Sequence, residues 1–208
     1  MRIIDISQTL EDMMVYYPSL TKFELKWKRS YKSGDNGSLS EITMASHIGT
    51  HVDSSYHFIK NGRKLDEIDL EVFYGPVRVI EIPKDMNKVE AECLKEYGEL
   101  SERILFKTKN SELLKQKNFV KDYVYIDKKA AEYIAERNVR LVGIDYFSVD
   151  KYKSPDKETH KILLSKNIVL LEGINLNGIS EGNYQLICFP LKIKGAEGAP
   201  CRAVLIEN

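Results

Sequence analysis

Three of the four histidines fall within eleven residues, in the segment SHIGTHVDSSYHF: His47, His51 and His57, with Asp53 among them. Neutral imidazoles and a carboxylate are the usual ligands of Zn²⁺ or Mn²⁺. From Glu41 to Asp53 the residues alternate in character. Ile42, Met44, Ile48 and Val52 share one parity; Thr43, Ala45, His47, Gly49, His51 and Asp53 share the other. That period of two predicts an extended strand. On such a strand His47, His51 and Asp53 point the same way, and Gly49, having no side chain, leaves room between the imidazoles for an ion. Two imidazoles and one carboxylate leave coordination positions open, the arrangement of a catalytic rather than a structural site. The plainer alternative, histidines that merely fill a core or decorate a surface, explains poorly why three cluster with an aspartate. His57 lies past the strand, where a turn would bring it back over the site. His160 follows much later, and Glu172 closes the apolar run LLEG. On strand chemistry alone Glu172 reads as a solvated strand end.

The elements that must hold these residues are legible in outline. The chain has 208 residues and a mass of 23.9 kDa, and it shows no repeat or low-complexity linker, so residues 1–208 read as a single domain. Strands are expected at Ile3–Leu10, Val77–Ile82, Arg103–Lys107, Leu141–Asp145, Ile168–Gly173, Gln185–Ile193 and Arg202–Glu207. Helices are expected at Val89–Leu100 and Lys128–Arg137, with a short one at His160–Leu164. Strands outnumber the separate helices, which predicts a mixed α/β domain with a large sheet covered by helices. The charged stretch Lys107–Lys117 reads as a solvated surface.

Composition narrows the function. Lys plus Arg and Asp plus Glu are each 31, so the net charge is zero, without the broad cationic field of a nucleic-acid or anionic-membrane binder. The start, MRIIDISQTLEDMM, lacks a signal-like apolar region, and no apolar run approaches a membrane span; a soluble cytoplasmic protein is expected. Cys93, Cys188 and Cys201 form no C-x-x-C pair and read as small apolar residues. The run Gly178-Ile179-Ser180-Glu181-Gly182 matches a nucleophile elbow, but NYQLICF after it is strand-like and no histidine lies beyond His160, so it reads as a turn.

In order along the chain, DISQTL, Tyr17-Pro18, HIGTHVDSSYHF, GIDYFSVD, HKILLSKNIVLLEG and LKIKGAEGAPCRAVLIE resemble the metal-dependent cyclase family, which includes bacterial kynurenine formamidase and isatin hydrolase. The resemblance implies a swivelling β/β/α fold with a mixed, barrel-like sheet, assembled as a homodimer or homotetramer. It implies that His47 and His51 ligate a first divalent metal, Zn or Mn; that His160 ligates a second; that Asp53 and Glu172 are carboxylates able to bridge the two; that His57 is the proton donor and acceptor; and that Tyr17 contacts substrate. Ser55 stands where the family has proline, and Tyr17 where it often has tryptophan.

The chemistry expected is hydrolysis of a small amide, as in an arylformamidase. A bound metal lowers the pKa of its water to about 7 and polarises the carbonyl, while His57 moves the proton to the leaving nitrogen. Isatin-like cyclic amides or lactones, and a metal-binding protein without turnover, are the competing readings. Tyr16, Phe23 and Trp27 are further candidates, with Tyr17, for an aromatic pocket wall.

Overall fold

The computed structural model describes residues 1–207. Thirteen strands form: β1 (Arg2–Asp5), β2 (Glu24–Arg29), β3 (Leu39–Thr43), β4 (His51–Asp53), β5 (Tyr74–Glu81), β6 (Lys88–Val89), β7 (Arg103–Lys107), β8 (Tyr125–Ile126), β9 (Leu141–Ile144), β10 (Val169–Glu172), β11 (Gly182–Ile187), β12 (Gly198–Pro200) and β13 (Val204–Glu207). Four short helices accompany them: α1 (Ala91–Lys95), α2 (Asn110–Leu113), α3 (Lys128–Ala135) and α4 (Glu158–Ser165). Nine strands make one mixed sheet in the order β1-β13-β11-β5-β7-β9-β10-β4-β12. Its centre, β5-β7-β9-β10, is parallel; every other pairing in it is antiparallel.

The parallel centre follows from VRVI, RILF, LVGI and VLL, near-continuous apolar runs that require cover on both faces. Ile80, Ile104, Phe106, Val142, Ile144 and Leu170 pack under α1, α3 and α4. Val77, Val79, Leu105, Leu141, Leu171 and Val52 alternate with them and form a second core on the opposite face. Val52 belongs to this second face, so its neighbours His51 and Asp53 must present to the helix face. Glu172 shares the parity of Leu170 and joins them there.

Several expected elements differ. The strand expected over Glu41–Asp53 is two strands. β3 pairs with β2 in a separate hairpin, and β4 enters the main sheet after a turn through Ser46–Thr50. Gly49 sits in that turn with φ +63°, and a Cβ there would meet the Leu10 side chain at 2.6 Å. Its lack of a side chain therefore serves the turn, not an ion between two imidazoles. The helix expected over Val89–Leu100 shortens to α1. Val89 is taken by pairing of β6 with β8, and Gly98 at φ +67° follows the helix end. Gln185–Ile193 keeps its strand only to Ile187.

The stretch Lys107–Lys117 is not all surface. Asp145, fully buried at the end of β9, accepts hydrogen bonds from the Thr108 amide (2.8 Å) and hydroxyl (2.8 Å) and from the Ser111 amide (3.1 Å) and hydroxyl (2.7 Å). The Ser111 oxygen in turn accepts from the Leu176 amide. One carboxylate thus ties together the segments that leave β7, β9 and β10. Asp145→Ala leaves those buried donors without an acceptor and is expected to lower the unfolding free energy by about 3 kcal/mol, read by urea denaturation. A change within about 0.5 kcal/mol, the size of an ordinary surface substitution, would show that the knot is not structural.

Candidate metal centre

The centre is assembled where β4 meets β10. Antiparallel register sets His51 directly opposite Glu172, and Asp53 opposite Leu170. On the far side of β4, β12 sets Gly198 opposite Asp53. A Cβ on Gly198 would meet the His47 ring at 2.8 Å, so glycine here makes room for that imidazole. His47 arrives from the turn before β4. His160 arrives from α4, packed over the same face. His57 closes a 3-10 turn at Ser55–His57. Ser55 holds this turn without proline: its hydroxyl accepts from the Arg63 amide (2.8 Å) and donates to Asn167 Oδ1 (3.0 Å). Behind the site the Gly173 carbonyl accepts from Gln8 Nε2 (2.7 Å) and Thr50 Oγ1 (2.7 Å), which latches the end of β10 to the turn before β4.

Three histidines follow one rule: one ring nitrogen is tied outward and the other faces the centre. His51 Nδ1 donates to the Gly49 carbonyl (3.0 Å). His160 Nδ1 is bound by Asp150, and His47 Nε2 donates to Glu197 Oε1 (3.1 Å). The inward nitrogens meet two carboxylates. Asp53 Oδ1 lies 2.7 Å from His47 Nδ1 and 3.5 Å from His51 Nε2; its Oδ2 lies 3.6 Å from His160 Nε2. Glu172 Oε2 lies 3.5 Å from His51 Nε2, and its Oε1 lies 3.3 Å from His160 Nε2. Glu172 is only 3% exposed, which overturns its reading as a solvated strand end.

Two buried atoms among them, His51 Nε2 and Asp53 Oδ2, have no hydrogen-bond partner. With Nδ1 donating to Gly49, His51 turns Nε2 toward the carboxylate oxygens of Asp53 and Glu172, which offer only lone pairs to one another. Buried acceptors facing acceptors are costly unless a cation sits among them. His51, Asp53 and Glu172 form one group able to converge on an ion, and His47, Asp53 and His57 another. The donor set fits a divalent metal.

Charge in the metal-free site is arranged accordingly. Burial opposes the charge of His47, but Asp53, Glu197 and Glu172 raise it to about 9. Despite complete burial, Asp150, Asp53 and Glu172 hold His160 well above its usual range. Burial pushes His57 down to about 4, helped by His47 and His160 against Asp53 and Glu172. Burial and Asp53 oppose the charge of Glu172, yet His160 and His51 keep it at about 2.

A cavity of about 180 Å³ opens onto this centre. His47, His51, His57, His160 and Glu172 line it together with Tyr17, Phe58, Phe147, Ser148 and Lys157, and the Phe58 ring packs on His57 and His160 with centroids 4.1 and 4.8 Å away. Tyr17 is the sole aromatic candidate from the sequence to reach it. Tyr16, Phe23 and Trp27 line a separate surface groove. Phe58, Phe147, Lys157, Asp150 and Glu197 were not singled out by residue type. Asp150 had a signal, standing at the end of GIDYFSVD, and Glu197 is the lone acid of GAEGAP.

This arrangement and the mixed sheet that carries it define a metal-site hydrolase-like α/β domain. The chain belongs to the family described as "Putative cyclase", whose model matches residues 4–151. It is similar to kynurenine formamidase of Bacillus cereus, 33% identical over 206 residues that cover 97% of this chain and 96% of the relative. Among solved structures it is similar to isatin hydrolase A of Labrenzia aggregata, at 26% identity and a TM-score of 0.85, covering 100% of this chain and 94% of that one. It is similar as well to the "predicted metal-dependent hydrolase from Bacillus stearothermophilus", with 26% identity, a TM-score of 0.85 and coverage of 98% and 97%. No helix among the described residues is long and apolar enough to cross a membrane.

The sign of the linkage is testable. In the metal-free protein His47, raised to about 9, and His160, raised well above 6.5, bind protons more tightly folded than unfolded. The stability they contribute is complete below the unfolded value of 6.5 and is lost as pH climbs through about 9. Melting temperature after chelation should therefore fall over that window, while Zn²⁺- or Mn²⁺-loaded protein shows a flatter profile, the metal replacing the protons. Parallel profiles with and without metal would contradict this.

Proposed function

We propose that the protein is a metal-dependent hydrolase of small amides, acting on an aryl formamide such as N-formylkynurenine to release the amine and formate. The observation that carries it is the division of the centre: each carboxylate offers separate oxygens to two sets of inward histidine nitrogens. In this reading His47, His51, Asp53 and Glu172 would hold one ion, and His160, with the same two carboxylates, would hold a second. The likeness to kynurenine formamidase over nearly the whole chain supports the substrate.

A divalent cation in this site supplies Lewis acidity, lowering the pKa of a ligated water to about 7 and polarising a carbonyl. The chain does the rest. Phe58 and Phe147 line the cavity and offer apolar surface to an aryl group. Glu197, Asp150 and the Gly49 carbonyl fix ring orientation, the outer partners that metal-bound histidines require. The His57 ring makes no hydrogen bond among the described residues and lines the cavity beside His47, ring centroids 4.1 Å apart. Burial lowers its pKa to about 4, so it is neutral at pH 7 and has a ring nitrogen free to accept the proton of the attacking water and return it to the leaving nitrogen. A formanilide suits this, since its aryl amine leaves more readily than an alkyl amine.

The likeness to isatin hydrolase A supports a second reading, a cyclic amide opened by the same groups. Turnover of N-formylkynurenine against isatin by the metal-loaded protein separates the two. Hydrolysis of neither, nor of a broad amide panel, overturns the enzymatic reading.

The roles separate by mutation. His57→Ala should keep its metal and lose turnover by roughly 10²–10⁴-fold; loss of metal would make His57 a ligand. Asp53→Ala should lose metal and activity together, read by elemental analysis; unchanged metal content would remove its role as a bridge. Asp150→Asn and Glu197→Gln should each weaken metal binding by about 10–100-fold, measured by competition with a chelating dye. Wild-type affinity in both would show that the outer contacts orient nothing.

A further inference from the structure

Beside the histidine–carboxylate centre the cavity wall also holds Tyr17 and Lys157. Lys157 Nζ lies 3.5 Å from the Tyr17 hydroxyl and 5.6 Å from its ring centroid. Among the described residues Lys157 has no salt bridge, although acids flank it in the chain. Glu158 is drawn away to Lys128 at 2.8 Å, and Asp156 is exposed. A half-buried ammonium over an aromatic ring, without a carboxylate, is a cation that still lacks its counter-charge.

Its position is held, not incidental. Lys157 has φ 49° and ψ 48°, the left-handed region that a residue with a side chain rarely adopts, at the entry to α4. His160 stands three residues on in the same helix, and Asp150 accepts from the Thr159 amide at 3.0 Å. The ammonium and the metal centre are therefore carried by one rigid piece. Tyr17 is itself fixed, packed against Phe119 and Tyr152 with centroids 5.4 and 5.9 Å away.

We infer that Lys157, with the Tyr17 hydroxyl beside it, is the specificity-determining residue of the cavity and selects substrates that carry a carboxylate on the side away from the scissile amide. The inference rests on the amide-hydrolase reading and deepens it. With the reacting carbonyl at the histidine–carboxylate centre and the aryl ring in the same cavity, a carboxylate tail can meet the ammonium that shares its wall. A neutral ring system such as isatin leaves it unpaired.

The test compares Lys157→Met, Lys157→Arg and wild type, all metal-loaded, on two formamides that differ in the charged tail: N-formylkynurenine, and 2-formamidoacetophenone, which lacks it. Lys157→Met should raise KM for N-formylkynurenine at least tenfold with kcat little changed, leave 2-formamidoacetophenone within twofold, and be largely rescued by Lys157→Arg. Equal effects on both substrates, or none, would overturn the assignment. Calorimetry with the corresponding amines, kynurenine and 2-aminoacetophenone, reads the anion site without turnover. If wild type hydrolyses neither formamide, the amidase reading fails; a loss of kynurenine affinity alone in Lys157→Met still upholds the anion site, and its absence refutes it.

Discussion

The inward-facing Nε2 of His51 is the constraint on which the rest of the structure depends. Its Nδ1 hydrogen bond to Gly49 leaves Nε2 facing oxygens of Asp53 and Glu172 at 3.5 Å, buried and without a hydrogen-bond partner. A protein interior tolerates such a meeting of acceptors only when a positive charge lies among them. In the metal-free protein part of that charge comes from protons on His47 and His160. A cation bound among the same side chains would compete with those protons.

Around that core the fold spends its most exacting geometry on orientation. Gly173 has φ +69° and approaches Gly49 so closely that a Cβ on it would lie 2.1 Å from the Gly49 carbonyl oxygen. That contact brings the end of β10 against the turn that orients both His47 and His51. Gln8 and Thr50 then secure Gly173 through its carbonyl. The motif DISQTL, distant in sequence from every histidine, thus acts as a clamp behind the centre. Asp145 plays the matching part for the loops on the helix face.

The cavity brings two sets of side chains together. The histidines and Glu172 come from β4, β10, α4 and the turns at His47 and His57. Tyr17 and Lys157 stand with them, beside an aromatic cluster of Phe119, Tyr146, Phe147 and Tyr152. Ser55, where the resemblance to the family leads one to expect proline, does not loosen the turn at His57, because two hydrogen bonds of the serine hydroxyl stand in for the fixed φ of the ring.

By itself the sequence determined the ligand types, the apolar strands and the family. SHIGTHVDSSYHF names metal-binding groups whatever their geometry, and RILFK, LVGI and VLLE declare buried parallel strands by their uninterrupted apolar character. Only the tertiary structure decided how those groups meet. The alternation over Glu41–Asp53 suggested that one strand aligned His47 with His51, whereas a left-handed turn at Gly49 does so, because backbone sign is invisible in parity. Glu172 looked like a surface charge until the register of β10 with β4 put it opposite His51. Asp150, Glu197 and Lys157 are ordinary charged residues in sequence; their roles come from long-range contacts, and no local pattern encodes which distant side chain a carboxylate or an ammonium will face.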